Sequence, residues 1–145
     1  LSDTEMENGP LAFVKDSHKG PLYDLYGEDD EWAGCLSEND AANIDRSKVD
    51  YLTGPAGTIT IHNCRSLHYS PDSVAPEPRP LLLNCFTAAN SKPYTPHPEP
   101  TSHSFQVVRG EAARWAELDA RPCQIPPDWS RGFSTIFENQ EVQAS

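Results

Sequence analysis

The sequence predicts an all-β protein with minor helix, built as a β-sandwich or a barrel. Three features predict this fold class: short apolar runs bounded by turn residues, 14 prolines in 145 residues, and few segments with helical periodicity. Proline at about twice its average usage favours short strands joined by stiff loops. Strands that alternate with turn signals, with few helices between them, are typical of sandwiches and barrels.

The predicted strands are four short segments, residues 11–14, 58–62, 67–70 and 81–86. In the second segment polar and β-branched apolar residues alternate with period two, which predicts a half-buried strand. The last segment is apolar at successive positions, so both of its faces are expected to be covered. We therefore expect residues 81–86 to form a central strand.

Helix is predicted in two places only. Ser37 is followed three residues later by Asp40, a spacing that can cap a short helix running through Ala41. Residues 109–118 have helical composition around several alanines. In the turn-rich tail, Trp129 and Phe133 are predicted packing anchors.

The charge and cysteine content restrict the class of protein. A formal net charge of −11 and a pI near 4.7 repel phosphate backbones and anionic lipid, so we expect neither nucleic acid nor membrane as a partner. No apolar run approaches the roughly 20 residues of a membrane span. The four cysteines are scattered without a C-x-x-C pair, which favours reduced thiols and a cytoplasmic location. The sequence does not determine the oligomeric state.

The candidate chemistry lies in His68, Ser70 and Arg79. Ser70 follows His68 by two residues, so in extended chain their side chains share a face. A hairpin-like return through residues 71–78 would bring Arg79 back beside Ser70. Imidazole is a ligand for ferrous iron, and a guanidinium holds a carboxylate through paired donors. The set would suit a dicarboxylate bound to a metal, although a structural histidine and a surface arginine explain the same spacing.

A zinc site is an alternative interpretation of this region. His62, Cys64 and His68 are spaced as H-x-C-x₃-H, and the first two share a face in a strand. A fourth ligand is not apparent in the sequence, and Cys64 would serve equally as a small buried residue. We therefore expect His62 to pack near the metal site or on the inner face of the sheet.

An N-terminal segment resembles a motif of the phytanoyl-CoA dioxygenase-like oxygenases, which include ectoine hydroxylases. The family motif is "ENGPL…PGSHK", and the segment runs from Glu7-Asn8-Gly9-Pro10-Leu11 through Asp16-Ser17-His18-Lys19. Residues 57–70 resemble their "GD…FH…HGS" stretch, and Arg79-Pro80 before three leucines resembles the arginine that opens the last core strand. The motifs follow in order from Leu1 to about Tyr94.

The resemblance implies a double-stranded β-helix, or jelly roll, around a non-haem iron(II) bound by two histidines and a carboxylate. By resemblance His68 matches the distal histidine, Arg79 the clamp for the cosubstrate 2-oxoglutarate, and Ser70 its helper. The implied reaction couples oxidative decarboxylation of 2-oxoglutarate, giving succinate and CO2, to hydroxylation of a small organic molecule by O2. Further predicted pocket residues are His62, Leu81, Leu83, Ser17 and Tyr69.

The sequence departs from the family pattern in three respects, the first of which is Lys15-Asp16 where the family has "PG" before "SHK". No H-x-D motif, which supplies the other histidine and the carboxylate, precedes His18, and Tyr69 stands where the family has a glycine. We expect residues 1–145 to be the C-terminal part of one jelly-roll domain, with core motifs in 1–94, an extension in 95–145 and the H-x-D motif upstream. Such a fragment would be inactive alone. A non-catalytic jelly-roll binding module and a cupin-like zinc or sugar-binding domain are the alternatives.

Overall fold

The computed structural model describes residues 2–97 and 100–128. By its contacts the chain divides into two compact units. The first contains the described residues of Leu1–Leu22 and Ala42–Asn84, and the second contains Tyr23–Ala41 and the described residues of Cys85–Ser145. Trp129 and Phe133 lie outside the described residues. No helix in the described part is long and apolar enough to cross a membrane.

The first unit is organised around a three-stranded antiparallel sheet with the order β2-β1-β3. The strands are β1 (Ala12–Val14), β2 (Val49–Tyr51) and β3 (His68–Tyr69). β1 and β3 lie in segments that were predicted to be strands, and those predictions are confirmed. β2 lies in an acidic stretch that gave no strand prediction, although Val49-Asp50-Tyr51 does alternate.

The central strand is also the most buried part of this unit. Ala12 is fully buried, Phe13 is 9% exposed, and Pro10 just before them is the largest fully buried side chain. Because β1 pairs with β2 on one edge and β3 on the other, both of its sets of backbone donors and acceptors are used. The small apolar core of the unit therefore lies at β1, and Phe13 is the core residue that pairs with His68.

Two predicted strands are absent from the described structure, and these predictions are wrong. Residues 58–62 and 81–86 are irregular, with Ile61 95% exposed and Leu82 76% exposed. A strand is stabilised by a neighbour that pairs with its backbone and by cover on its apolar face. Both edges of β1 are already occupied, and neither segment pairs with another strand within the described residues.

The short helix α1 (Glu38–Ala42) confirms the prediction from the capping pattern. The Asp40 backbone N–H donates to Ser37 Oγ at 3.1 Å, and the same hydroxyl donates to the Asp40 carboxylate at 2.8 Å. Three further single-turn 3₁₀ helices span Met6–Asn8, Ser17–Lys19 and Arg46–Lys48.

The helix predicted for residues 109–118 is also wrong, since these residues form bends and extended chain. Gly110 has a φ of +81°, which lies outside helical geometry. Trp115 is 87% exposed, so no apolar stripe is buried. Isolated short helices are marginal in water without such packing, and alanine content alone does not supply it.

Hydrogen bonds that involve side chains join distant parts of the chain within the second unit. Gln124 accepts from the Leu25 backbone N–H at 2.8 Å and also donates to the Asp24 carboxylate. This hydrogen bond is the largest influence on Asp24 and holds the pKa of that carboxyl below its usual value. Tyr26 packs edge-to-face on Trp32, with ring centroids 5.1 Å apart. None of the predicted site residues lies in this unit.

Candidate active site

The loop between Ser70 and Arg79 turns back on itself, as the sequence predicts. The Glu7 carbonyl, in the 3₁₀ helix Met6–Asn8, accepts hydrogen bonds from the backbone N–H groups of Val74 at 2.9 Å and Ala75 at 3.0 Å. This anchor folds the proline-rich loop over the start of the unit. As a result Arg79 Nη2 lies 3.3 Å from Ser70 Oγ and donates to it.

Ser70 and Arg79 share an open, shallow cleft of about 440 Å³. The Arg79 side chain is half-buried, and its Nε is buried without a hydrogen-bond partner among the described residues. None of the ion pairs within those residues involves Arg79, although Glu77 also lines the cleft. The full lining is Asn8, Gly9, Ser70, Pro71, Ser73, Ala75, Pro76, Glu77, Pro78 and Arg79.

On β3, His68 stacks on Phe13 and makes one hydrogen bond. It pairs with Phe13 across the strands, and the two rings stack at a centroid distance of 5.1 Å and an interplanar angle of 16°. His68 Nδ1 lies 2.9 Å from the Ser66 carbonyl oxygen. Because a carbonyl only accepts, Nδ1 must carry the proton in this contact, which leaves the Nε2 lone pair of the neutral ring available to a metal.

His62 lies beside His68 although it is not on a strand. Its ring centroid is 4.3 Å from that of Phe13 and 6.1 Å from that of His68. The three rings form one cluster on the face of the sheet that carries His68. His62 therefore packs near the candidate metal ligand, as the sequence predicts. A direct role of His62 in binding stays a prediction.

Tyr69 lies on the opposite face of the sheet from His68, because successive strand residues alternate. Tyr51 and Tyr69 both pair with Ala12, and their hydroxyl oxygens meet over that small side chain at 3.1 Å. This hydrogen bond raises the pKa of Tyr51. The Arg46 guanidinium lies 5.8 Å above the Tyr69 ring. The structure therefore does not bring Tyr69 together with His68 as a pocket wall.

Leu81, Leu83 and Ser17 are not among the residues that line the cleft. Leu81 and Leu83 are 51% and 69% exposed, since the segment that carries them is not a strand. Ser17 is half-buried, and its hydroxyl donates to the Val14 carbonyl oxygen and accepts from the Leu67 backbone N–H. Its hydroxyl is thus engaged with the fold rather than directed at a ligand.

The described residues offer an incomplete set of ligands to a metal at this site. No group of three or more His, Cys, Asp or Glu side chains within residues 2–97 and 100–128 could hold an ion. The residues of the H-x-C-x₃-H motif likewise form no such group, and Cys64 Sγ donates to the side-chain oxygen of Asn63. His68 could therefore bind iron only together with further ligands. The buried Nε of Arg79, which has no hydrogen-bond partner among the described residues, could bind a carboxylate without further groups.

Sequence reasoning missed two residues that shape the site, Phe13 and Gly9. Phe13 carries the ring on which both histidines pack, and its position in the predicted strand 11–14 was the available signal. Gly9 ends the first 3₁₀ helix at φ +62°, and a Cβ there would clash with the Pro71 carbonyl oxygen. That close approach joins residues that are distant in sequence, so no local pattern indicated it.

Similarity to known proteins covers most of the chain. A protein described as a "probable alpha-ketoglutarate-dependent hypophosphite dioxygenase" from Stutzerimonas stutzeri is 31% identical over 145 residues, covering 98% of this chain and 50% of that protein. An "ectoine dioxygenase" from Stutzerimonas stutzeri (strain A1501) is 27% identical over 134 residues, covering 86% of this chain and 44% of that protein. The chain thus spans about half the length of the curated relatives it matches.

No solved structure matches the chain at a significant level. The family model of phytanoyl-CoA dioxygenase (PhyH) matches residues 1–81, which contain the cleft, His68 and Arg79. That match extends over more than half of the chain and ends at the beginning of the leucine run. The chain belongs to the phytanoyl-CoA dioxygenase family.

Proposed function

We propose that this chain is the C-terminal part of a single jelly-roll domain of an iron(II)/2-oxoglutarate-dependent oxygenase. The proposed reaction converts 2-oxoglutarate and O2 to succinate and CO2 and hydroxylates a small molecule. Its two named relatives are described as dioxygenases, and one name includes dependence on alpha-ketoglutarate, which is 2-oxoglutarate. Arg79 and Ser70 are proposed to bind 2-oxoglutarate, and His68 is proposed to bind iron.

The observation that carries the proposal is the unsatisfied Nε of Arg79 in the cleft. A guanidinium keeps its charge at all physiological pH values, and a buried donor without a partner costs free energy. The cleft supplies a serine hydroxyl at 3.3 Å and no carboxylate paired with Arg79 within the described residues. A carboxylate from a ligand would satisfy this donor through charge-assisted hydrogen bonds, which are the strong class.

His68 is proposed as a metal ligand because its ring is already oriented. The Ser66 carbonyl holds the proton on Nδ1, and the stacked Phe13 ring fixes the plane. A hydrogen bond from the remote ring nitrogen is the usual support of a metal-binding imidazole. When bound, the iron centre would supply the activation of O2, while Arg79 and Ser70 would hold the cosubstrate in the cleft.

The other iron ligands are proposed to be a histidine and an aspartate of an H-x-D motif upstream of Leu1. Two findings support this assignment. The described residues supply no group of three ligands, and the chain spans about half of each named relative.

The test uses the full-length protein that contains this chain. Arg79→Ala should raise the 2-oxoglutarate concentration for half-maximal decarboxylation by about 10- to 100-fold, because a hydrogen bond to a charged group contributes about 1.5–3 kcal/mol. Arg109→Ala, which removes an arginine from the second unit, is the matched control and should leave that concentration unchanged. An unchanged 2-oxoglutarate requirement in Arg79→Ala would refute the assignment of the clamp.

The iron ligand is tested separately from the clamp. His68→Ala should abolish retention of iron(II) after gel filtration, whereas His103→Ala should retain it. If both variants retained iron equally, His68 would not be a ligand. A wild-type protein that binds small molecules but retains no iron would instead identify the non-catalytic binding module.

A further inference from the structure

The β1–β3 pair is interrupted at one position, immediately before His68. Val14 N donates to the Leu67 carbonyl oxygen at 3.0 Å, as expected for the next rung of an antiparallel ladder. The reciprocal rung is replaced by a relay. Leu67 N donates to Ser17 Oγ at 2.8 Å, and Ser17 Oγ donates to the Val14 carbonyl oxygen at 2.7 Å.

The turn after β1 is what places this hydroxyl in the ladder. Asp16 adopts a left-handed conformation with φ +59°, and the 3₁₀ helix Ser17–Lys19 follows it. The Lys19 backbone N–H donates to the Asp16 carbonyl oxygen at 2.9 Å, and its ammonium pairs with the Asp16 carboxylate at 2.6 Å. The chain therefore reverses tightly enough for Ser17 to reach back to Val14, three residues earlier.

The relay has a direct consequence for the residue that follows Leu67. With the Leu67 N–H bound to a side chain, the strand begins at His68 rather than one residue sooner. The Ser66 carbonyl is then used by His68 Nδ1. We propose that Ser17 is a positioning residue for His68: it fixes the Leu67 backbone so that the Ser66 carbonyl holds His68 with Nε2 available to the metal. This inference rests on the proposed role of His68.

The hydrogen-bonding capacity of serine supports this role over direct binding of a ligand. A hydroxyl has one donor and two acceptor lone pairs. The single donor of Ser17 is committed to Val14, and one acceptor position is committed to Leu67. Ser17 therefore has no donor left for an anionic cosubstrate, although the sequence placed it among the pocket residues.

The test compares hydroxyl removal with hydroxyl retention in the full-length protein. Ser17→Ala deletes the relay, Ser17→Thr keeps it, and Ser17→Cys weakens it and serves if the alanine variant does not fold. Ser47→Ala is the matched control, because Ser47 also lies in a 3₁₀ helix and its hydroxyl donates to Asp45 at 2.6 Å, away from His68. Each folded variant is examined below its unfolding temperature.

The first readout is the metal centre with cobalt(II) in place of iron(II). We expect Ser17→Ala to weaken cobalt binding by about 10- to 100-fold, the usual effect of removing support behind a ligand. Its visible absorption at saturating cobalt should differ from that of the wild type, whereas Ser17→Thr and Ser47→Ala should match the wild type. An unaltered spectrum and affinity in Ser17→Ala would overturn the inference, as would equal losses in the alanine and threonine variants.

The second readout does not require a metal. Nitrogen-15 NMR of the neutral His68 ring should report the proton on Nδ1 in the wild type and in Ser17→Thr, and a mixture of tautomers in Ser17→Ala. An unchanged tautomer in Ser17→Ala would refute the positioning role. If His68→Ala still bound cobalt, the proposed function would fail, but this NMR comparison would still decide whether Ser17 orients the ring.

Discussion

Replacement of Phe13 by alanine tests whether the histidine cluster depends on the small core beneath it. Phe13 is 9% exposed and contacts the rings of both His62 and His68. Deleting a buried phenylalanine side chain costs about 3–5 kcal/mol of unfolding free energy, because apolar contact is lost and a cavity remains. Since both histidines are exposed and can partly fill the space, we expect the lower end, about 3 kcal/mol.

The assay is urea unfolding of the purified protein, followed by fluorescence and circular dichroism. With a typical slope near 2 kcal/mol/M, the midpoint should fall by about 1.5 M while the slope stays the same. Phe86→Ala is the matched control, because it deletes the same side chain where it is 73% exposed, and should change stability by less than about 0.5 kcal/mol.

Either of two results would refute this reasoning. If Phe13→Ala shifted the midpoint no more than Phe86→Ala, the Phe13 ring would not be part of a core. If Phe86→Ala cost as much as Phe13→Ala, the leucine-rich segment would be covered in solution, as in the central strand that its sequence predicts. The comparison therefore tests the core and the placement of residues 81–86 together.

Two further predictions concern the pair of Tyr51 and Tyr69 and the close approach of Gly9 to Pro71. The hydrogen bond between the Tyr51 and Tyr69 hydroxyls raises the pKa of Tyr51, so Tyr51 should ionise above the usual tyrosine value. Its small contribution to stability is present below the unfolded-state pKa of Tyr51 and is lost as pH rises through the folded-state pKa. Absorbance titration of tyrosinate should show one tyrosine with a raised pKa. Tyr69→Phe should remove this raised pKa, whereas Tyr94→Phe should leave it in place. A raised pKa that persists in Tyr69→Phe would contradict the prediction. Gly9→Ala should lower stability by more than the left-handed backbone penalty of about 1 kcal/mol, because its Cβ would meet Pro71, and should weaken 2-oxoglutarate binding. In Gly57→Ala, at φ +91° with open space around it, only the backbone penalty is expected, so equal unfolding midpoints for the two variants would exclude the Pro71 contact.

Contacts that span one loop could be predicted from the sequence. Ser70 and Arg79 are nine residues apart, and the prolines between them limit the paths that the loop can take, so their approach followed from local patterns. The helix cap formed by Ser37 and Asp40 is closer still in sequence. The strands containing Phe13 and His68 were recognised for the same reason, since alternation and turn residues are local signals.

Contacts between distant segments could not be predicted in this way. The relay from Leu67 to Ser17 joins residues that are 50 positions apart. The two strand predictions that proved wrong had the same origin, because alternation describes one strand, while its neighbour decides whether it forms. Residues 58–62 carry a good strand pattern, yet β1, the buried strand of the sheet, already has β2 and β3 on its two edges.

The departure at Tyr69 shows that the two faces of the sheet differ: His68 lies on one face, and Tyr69 lies on the other. Read from the sequence, a tyrosine in place of the family glycine after His68 predicts a narrower pocket. The register instead places Tyr69 over Ala12, where its hydroxyl meets that of Tyr51. Because Ala12 is fully buried under this pair, the large side chain covers the core on the face away from the candidate metal ligand. A bulky residue can therefore follow His68 without entering the site, provided that β1 keeps a small residue opposite it.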